Sequence, residues 1–451
     1  MPNLLAFAMI LLWPFIAIVF YKKFDTVTAT FWTIVGGYMF LPVSTVFDFP
    51  MIPAIGKDEI SAIAAFIGCK FIKNENITLF GVNTIQKFII FLLLFIPFVN
   101  VFFNSEPIFN GLAWIKGLTL YDAMSQILAQ YLELLAFFIA VSIVKSRDDL
   151  EKVVRLLVIA GLIYSLLVLI EIRLSPQLHA WIYGFFPHVF GQAMRGDGFR
   201  AVVFMDNGLM VATFCFVCVC SAAIQVKISS PKEKIRNICI LMYLLLIIVL
   251  QKSVGAIGLS FLATIIILFC YYSQQKIIIK LFIAIFFLYP TLSVLNLIPY
   301  EAIITFISDF SPERAGSTNY RFTNEIELVR HAYEKSLIGW GSWGRNTFWN
   351  SVTDGKWIIV YGVYGGIYFC AFFGLFTMGA LTGISRNATK NQQVAYLGLS
   401  LILAGVLFDQ IQNASLNSNW LWFLSGILCS PMLRDNETHL GPLPAHNAHP
   451  D

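Results

Sequence analysis

SDFSPERAGSTNYRFTNEIELVRHAYEKSLIGWGSWGRNTFWNSVTDGKW, residues 308–357, is the one long polar stretch in a chain that is otherwise almost continuous hydrocarbon. It carries Arg314, Arg321, Arg330 and Arg345, the tryptophans Trp340, Trp343, Trp349 and Trp357, and carboxylates that include Glu325 and Asp354. On either side stand apolar runs of the roughly 20 residues that cover a bilayer. Its reading therefore decides the fold: a polar loop set between membrane helices.

Working outward, 58% of the 451 residues are hydrophobic and 12% charged, against about 25% charged in a soluble chain. The composition predicts an all-α polytopic membrane protein. Apolar runs fall at about 3–20, 26–43, 85–103, 121–144, 151–171, 201–226, 236–250, 254–273, 277–297, 357–384, 393–411 and 419–433, with a shorter one at 58–73. About 12 to 13 transmembrane helices are expected, with a large helical loop on the outer face. The first run lacks a basic leader and a small-residue cleavage site, so it reads as a retained helix. The expected division is 1–297, N-terminal transmembrane helices with a shorter outer loop at 172–200; 298–356, the large loop; 357–433, C-terminal transmembrane helices; and 434–451, a cytoplasmic tail with His439, His446 and His449.

Lys and Arg concentrate on the cytoplasmic side of membrane helices. Here Lys22 and Lys23, Lys70 and Lys73, Lys145 with Arg147 and Lys152, Lys227 to Arg236, Lys276 with Lys280, Arg386 with Lys390, and Arg434 fall at alternate helix ends. Thirteen crossings with an outer N-terminus fit them all. With 58–73 along the interface the count is twelve, and only Lys22 and Lys23 then break the rule. The net charge of +4 is spread over short loops and gives no reason to invoke nucleic acid. Cys215 and Cys218 form a C-x-x-C inside an apolar helix, where packing is the better reading than zinc or redox chemistry.

Both counts leave two arginine-bearing loops on the outer face, 173–200 and the long loop, where insertion disfavours them. Inside the long loop, Phe322, Ile326, Val329 and Tyr333 predict a helix over about Thr318–Ser336. Ser317, Thr318 and Asn319 are N-cap candidates and Gly339 a stop. Arg321 and Glu325 stand four apart and are expected to meet. For Arg330 and Lys335 a solvated amphipathic face is the alternative to a functional role. A planar guanidinium grips phosphate bidentately, so Arg195, Arg200, Arg314, Arg321 and Arg345 are the candidate ligands of a diphosphate at headgroup depth. The chain has no D-x-D, so the arginines themselves would neutralise a leaving diphosphate, without metal. In GWGSWGR (339–345), Trp340 and Trp343 offer flat faces for sugar rings, although Trp is commonplace at membrane interfaces. His188 and Asn207 are candidate substrate contacts, and Glu133, Glu171, Asp409, Gln410 and Gln412 read as interhelical partners or cavity lining.

RGDGFRAVVFMDNGL (195–209), LQKSVGA (250–256), NYRFTNEIELVRHAYEKSLIGWGSWGRN (319–346) and TDGKWIIVYGVYGG (353–366), in that order, resemble the O-antigen ligase and Wzy-type polysaccharide polymerase superfamily. The resemblance extends over about 150–430. It implies a bacterial inner-membrane protein with its active site facing the periplasm, which transfers glycan from an undecaprenyl diphosphate carrier to a glycan acceptor with no cofactor, alongside a chain-length regulator. It also implies that Arg200 and Arg321 hold the diphosphate. Ligases carry a histidine where this chain has Asp354, Gly355, nine residues and Gly365, which favours a polymerase relative.

The implied reaction is a single inverting displacement by an acceptor hydroxyl, and it needs one base within hydrogen-bond reach. Asp354, Glu325 and His331 are the candidates, with Asp354 preferred for its place at the mouth of a helix. The other class that fits so apolar a chain is a secondary transporter or flippase for a lipid or polysaccharide precursor. No internal repeat supports it. A lipid-carrier hydrolase would need a nucleophile and base that are not evident.

Overall fold

The computed structural model describes residues 1–49, 53–195, 198–349, 351–386 and 390–431. The tail at 434–451 with its three histidines, and Arg434, lie outside the described residues. Sixteen α-helices follow one another: α1 Leu4–Lys23, α2 Thr26–Phe40, α3 Lys57–Ile67, α4 Thr84–Phe103, α5 Leu120–Ile143, α6 Arg147–Leu174, α7 Leu178–Tyr183, α8 Gly208–Ile228, α9 Pro231–Leu250, α10 Val254–Phe269, α11 Tyr272–Val294, α12 Tyr300–Phe310, α13 Pro312–Tyr333, α14 Lys356–Ser385, α15 Lys390–Asp409 and α16 Asn419–Cys429. A π-turn, Gly68–Ile72, prolongs α3. Two two-stranded ribbons, Ile108–Phe109 with Trp114–Ile115 and Met194–Arg195 with Gly198–Phe199, are the strands among the described residues.

Among the described residues every apolar run of the sequence carries a helix, and eight of these helices (α1, α4, α5, α6, α8, α11, α14 and α15) are long and apolar enough to cross a membrane. The others fall short for physical reasons. The 11 residues of α16 rise only about 16 Å at 1.5 Å per residue, and α9 opens on the charged turn PKEKIR. Burial sorts the helices into centre and rim. Helix α8 is buried along almost its whole length, whereas α1 and α4 expose Leu4, Leu11, Phe15, Phe88, Phe95 and Phe102. Large exposed apolar stripes of this kind are what lipid would cover.

Polar bonds gather the helix ends into two layers. At one end Lys152 reaches Asp25 at 3.1 Å and Lys145 reaches Glu75 at 2.6 Å, while Ser430 Oγ donates to the carbonyl of Val144 at 2.6 Å. At the other end the Asn3 amide donates to the carbonyl of Ile182 at 2.8 Å and Asn419 to that of Asp58 at 2.6 Å. The described residues of the loops 175–207, 251–253, 295–355 and 410–418 lie in this second layer.

Three local expectations are corrected. Helix α13 begins six residues before the expected start, capped at Ser311 with Pro312 at its first position, so Ser317, Thr318 and Asn319 are helical rather than caps. Its buried face holds Ala315, Phe322, Glu325, Leu328, Val329 and Ala332, while Tyr333 is exposed. Residues 201–207 are not helical either, and Asn207 is the N-cap of α8, accepting from the N–H groups of Leu209 and Met210.

Candidate functional site

Arg200 is placed by side chains from the ends of two distant helices, Gln251 at the C-cap of α9 and Glu171 near the end of α6. The Gln251 amide pairs with both backbone groups of Ala201, at 2.9 and 3.1 Å. The Glu171 carboxylate accepts from the N–H groups of Val202, Val203 and Leu178, at 2.8, 2.7 and 3.0 Å. Buried backbone donators in a non-helical segment need such partners, and these hold Val203 at a φ of 53°, a conformation uncommon for a β-branched residue. The Arg200 side chain is 6% exposed. It donates from Nη2 to Ser253 Oγ at 2.9 Å, yet its buried Nε has no partner. Burial, with Arg195 and Arg321 as like-charged neighbours, pushes its pKa down to about 10. A buried donor left open costs on the order of 1–3 kcal/mol, so the guanidinium is set for an acceptor.

Arg321 comes from α13 on the opposite wall. Its Nη1 donates to the carbonyl of Gln412 at 3.3 Å, and its Nε stands 3.5 Å from Asp354 Oδ2. That pair is 33% and 35% exposed, where an ion pair contributes roughly 0–1 kcal/mol. A phosphate could displace it easily. Burial raises the Asp354 pKa and Arg321 pulls it back. Behind the wall Asp409 accepts from Asn413 and Ser415, at 2.7 and 2.9 Å, and so fixes the 410–418 turn that carries Gln412.

Two adjoining cavities meet at these arginines. The larger, about 710 Å³, is lined by Arg195, Arg200, Lys252, Arg314 and Arg321 together with Ser253, Ser317, Thr318 and Gln412. The smaller, about 330 Å³, shares Arg195, Arg200 and Arg321 and adds His188, Asn207 and Asp354. Among the described residues the two walls hold five Lys or Arg side chains and one carboxylate, Asp354. Lys252 was not singled out in the sequence; its Nζ donates to the carbonyl of Arg195 at 3.0 Å. Gln251 and Ser253 were also missed, although all three stand in the LQKSVGA segment, whose polar QKS between two apolar helices was the available signal.

Other expected site residues lie elsewhere. Glu325 does not meet Arg321: it turns inward and accepts from the hydroxyls of Tyr289 and Tyr300, at 2.7 and 3.3 Å. Burial raises its pKa to about 7. Arg345 is not on the cavity. It is buried and holds three carbonyls, of Trp340, Glu106 and Lys116, at 3.1, 3.0 and 2.9 Å, so it staples the loop to the 104–119 connection. Trp340 is buried too, stacked on His331 with ring centres 4.2 Å apart and with Nε1 donating to the carbonyl of His331, which leaves no free face for a sugar. His331 also bonds the carbonyl of Arg345. Trp343 is exposed and lines neither arginine cavity. Arg330 pairs with Glu327 on a solvated face, whereas Lys335 donates to Asn104 Oδ1 at 2.7 Å and anchors the loop.

Such an array can bind a multiply charged anion, because charge-assisted bonds from several guanidinium groups act together where water is partly excluded. The ammonium of Lys252 adds a point charge and Ser253 a hydroxyl. No protein-family model matches this chain, and no curated protein matches its sequence.

Proposed function

We propose that the chain is a metal-independent, inverting glycosyltransferase of a bacterial cytoplasmic membrane, which polymerises glycan repeat units carried on undecaprenyl diphosphate. The observation that carries this reading is the convergence of Arg195, Arg200, Arg314 and Arg321, from segments more than a hundred residues apart, on one cavity with Lys252. Orientation follows from the charges. Lys145 and Lys152 stand at the opposite layer from the cavity, and in this reading that layer is the cytoplasmic one and the cavity opens to the outer face. A cationic array there, beside lipid-facing helices, suits a diphosphate at the end of a polyisoprenoid.

In the reaction the acceptor hydroxyl attacks the anomeric carbon as the bond to the diphosphate oxygen breaks, and that oxygen leaves with the electron pair. Arg200 and Arg321 neutralise the charge that develops on it. Asp354 receives the hydroxyl proton. Phosphate binding also recruits Arg321 away from Asp354, and burial then acts unopposed to raise the basicity of the released carboxylate. Asp354 in place of a histidine favours polymerisation over ligation.

The test supplies membranes containing the protein with lipid-linked repeat units. A ladder of glycan lengths is expected, reduced at least 100-fold by Arg200→Ala or Arg321→Ala, in line with the loss of a transition-state charge contact. Wild-type ladders from both variants would sink the diphosphate clamp. Near-normal turnover by Asp354→Asn would demote that carboxylate from base to ion-pair partner.

A further inference from the structure

A second cavity, of about 290 Å³, lies at the same layer between α3, α5, α14 and α16, and its chemistry is the reverse of the first. Along α5 it is lined by Ser125, Gln126, Gln130 and Glu133; their spacing puts them on one helical face. Asp58, Glu59 and Tyr364 complete the wall, with no Lys or Arg among its lining residues.

Three amides on this wall are held so that one polar atom of each is left over. Gln126 donates from Nε2 to the carbonyl of Gly341 at 2.8 Å, and its Oε1 has no partner. The Gln130 side chain, 8% exposed, accepts from the Tyr368 hydroxyl through Oε1, and its Nε2 has no partner. Asn419, 1% exposed, donates from Nδ2 to the carbonyl of Asp58 at 2.6 Å, and its Oδ1 has none. Buried polar atoms without partners are rare, and three beside one cavity point to what fills it. One open donor and two open acceptors match the hydroxyls of a sugar, which both donate and accept. Tyr364, stacked on Tyr368 with ring centres 4.1 Å apart, presents a rigid aromatic edge to the same space. With no Lys or Arg on its wall this cavity offers a diphosphate no counter-charge, so the leaving group and a neutral glycan are sorted between the arginine cavities and this one. Asn417 lines both this cavity and the smaller arginine chamber, so the chambers meet across the 410–418 turn on the side where Asp354 stands.

We propose that this cavity is the subsite for the glycan that receives the transfer, a neutral polyhydroxylated chain end held by Gln130, Glu133 and Asn419; the proposal rests on the transferase reading.

The experiment uses the full chain in nanodiscs, with undecaprenyl-diphosphate-linked repeat units from the source organism's membranes as donor. The same repeat units, released from the lipid by mild acid, serve as soluble acceptor. Two variants are compared with the wild type. Glu133→Gln keeps the oxygen that accepts from Trp422 Nε1 at 2.9 Å and replaces the other, an acceptor facing the glycan, with a donating amide of the same shape. Ala129→Trp, at an exposed position on the wall, fills the cavity without touching the core. Both should bind labelled undecaprenyl diphosphate as the wild type does, while half-saturation by the soluble acceptor rises at least tenfold and the ladder shortens. Unchanged acceptor saturation and ladder length in both variants would overturn the subsite and leave the transferase reading intact. A wild-type chain that neither binds undecaprenyl diphosphate nor makes glycan would overturn both.

Discussion

Glu325 and Asp354 show how the surroundings of a carboxylate separate two residues that sequence spacing cannot. An Arg four residues ahead of a Glu is the weaker order of an i, i+4 pair, and α13 is rotated so that Glu325 lies among buried residues. There the Tyr289 and Tyr300 hydroxyls satisfy it, while the long Arg321 side chain reaches Asp354 instead. With its pKa raised from 4.5 to about 7, Glu325 binds its proton more tightly in the folded chain than in the unfolded one. Stability is therefore greatest below about pH 4.5 as far as this group is concerned, and it falls as pH rises to about 7, where the carboxyl ionises in the fold. The loss is at most roughly 3 kcal/mol. Glu325→Gln, whose amide oxygen still accepts from both hydroxyls, should flatten the melting temperature between pH 5 and 8. An unchanged slope would show that Glu325 is not the group responsible.

At the scale of elements, the break in α14 explains what the glycine and tryptophan segment does. Gly365 has a φ of 81° inside the helix, and the backbone groups released there bond the loop. The N–H groups of Trp340 and Gly341 donate to the carbonyls of Gly362 and Val363 at 2.9 and 2.6 Å, and that of Gly366 donates to Ser336 at 2.7 Å. The approach is too close for a side chain, since a Cβ on Gly365 would lie 2.3 Å from the carbonyl oxygen of Leu337. GWGSWGR therefore reads as a docking strap that fixes α13, and with it Arg321, against the membrane helices. Gly365→Ala should cost about 2 kcal/mol or more, from the strained φ and the collision, and open the 336–341 strap to protease. Gly316→Ala, with nothing within 4 Å, should be neutral or slightly stabilising; equal losses from the two would show that the strap is not what Gly365 serves.

For the whole molecule, one arrangement of charge accounts for both layers. Cations of the layer that holds Lys145 and Lys152 sit on short turns, and those of the cavity layer are drawn together around one space. With this orientation an impermeant maleimide should label Thr323→Cys in intact spheroplasts and Ser230→Cys only after permeabilisation. The reverse pattern would turn the bundle over and place the arginine cavity on the cytoplasmic side.

Hydropathy is a property of a local window, which is why the sequence by itself determined the helical membrane class, the position of each apolar helix and the presence of arginine-rich loops. It also placed Arg200 and Arg321 on a short list, because arginine in a loop of this kind is conspicuous one residue at a time. Which side chains face one another depends on how each helix is rotated and on packing between segments far apart in the chain. Only the tertiary structure could therefore gather Arg195, Arg200, Lys252, Arg314 and Arg321, turn Arg345 and Trp340 inward, pair Asp354 rather than Glu325 with Arg321, and bring Gln130 and Asn419 to a second cavity.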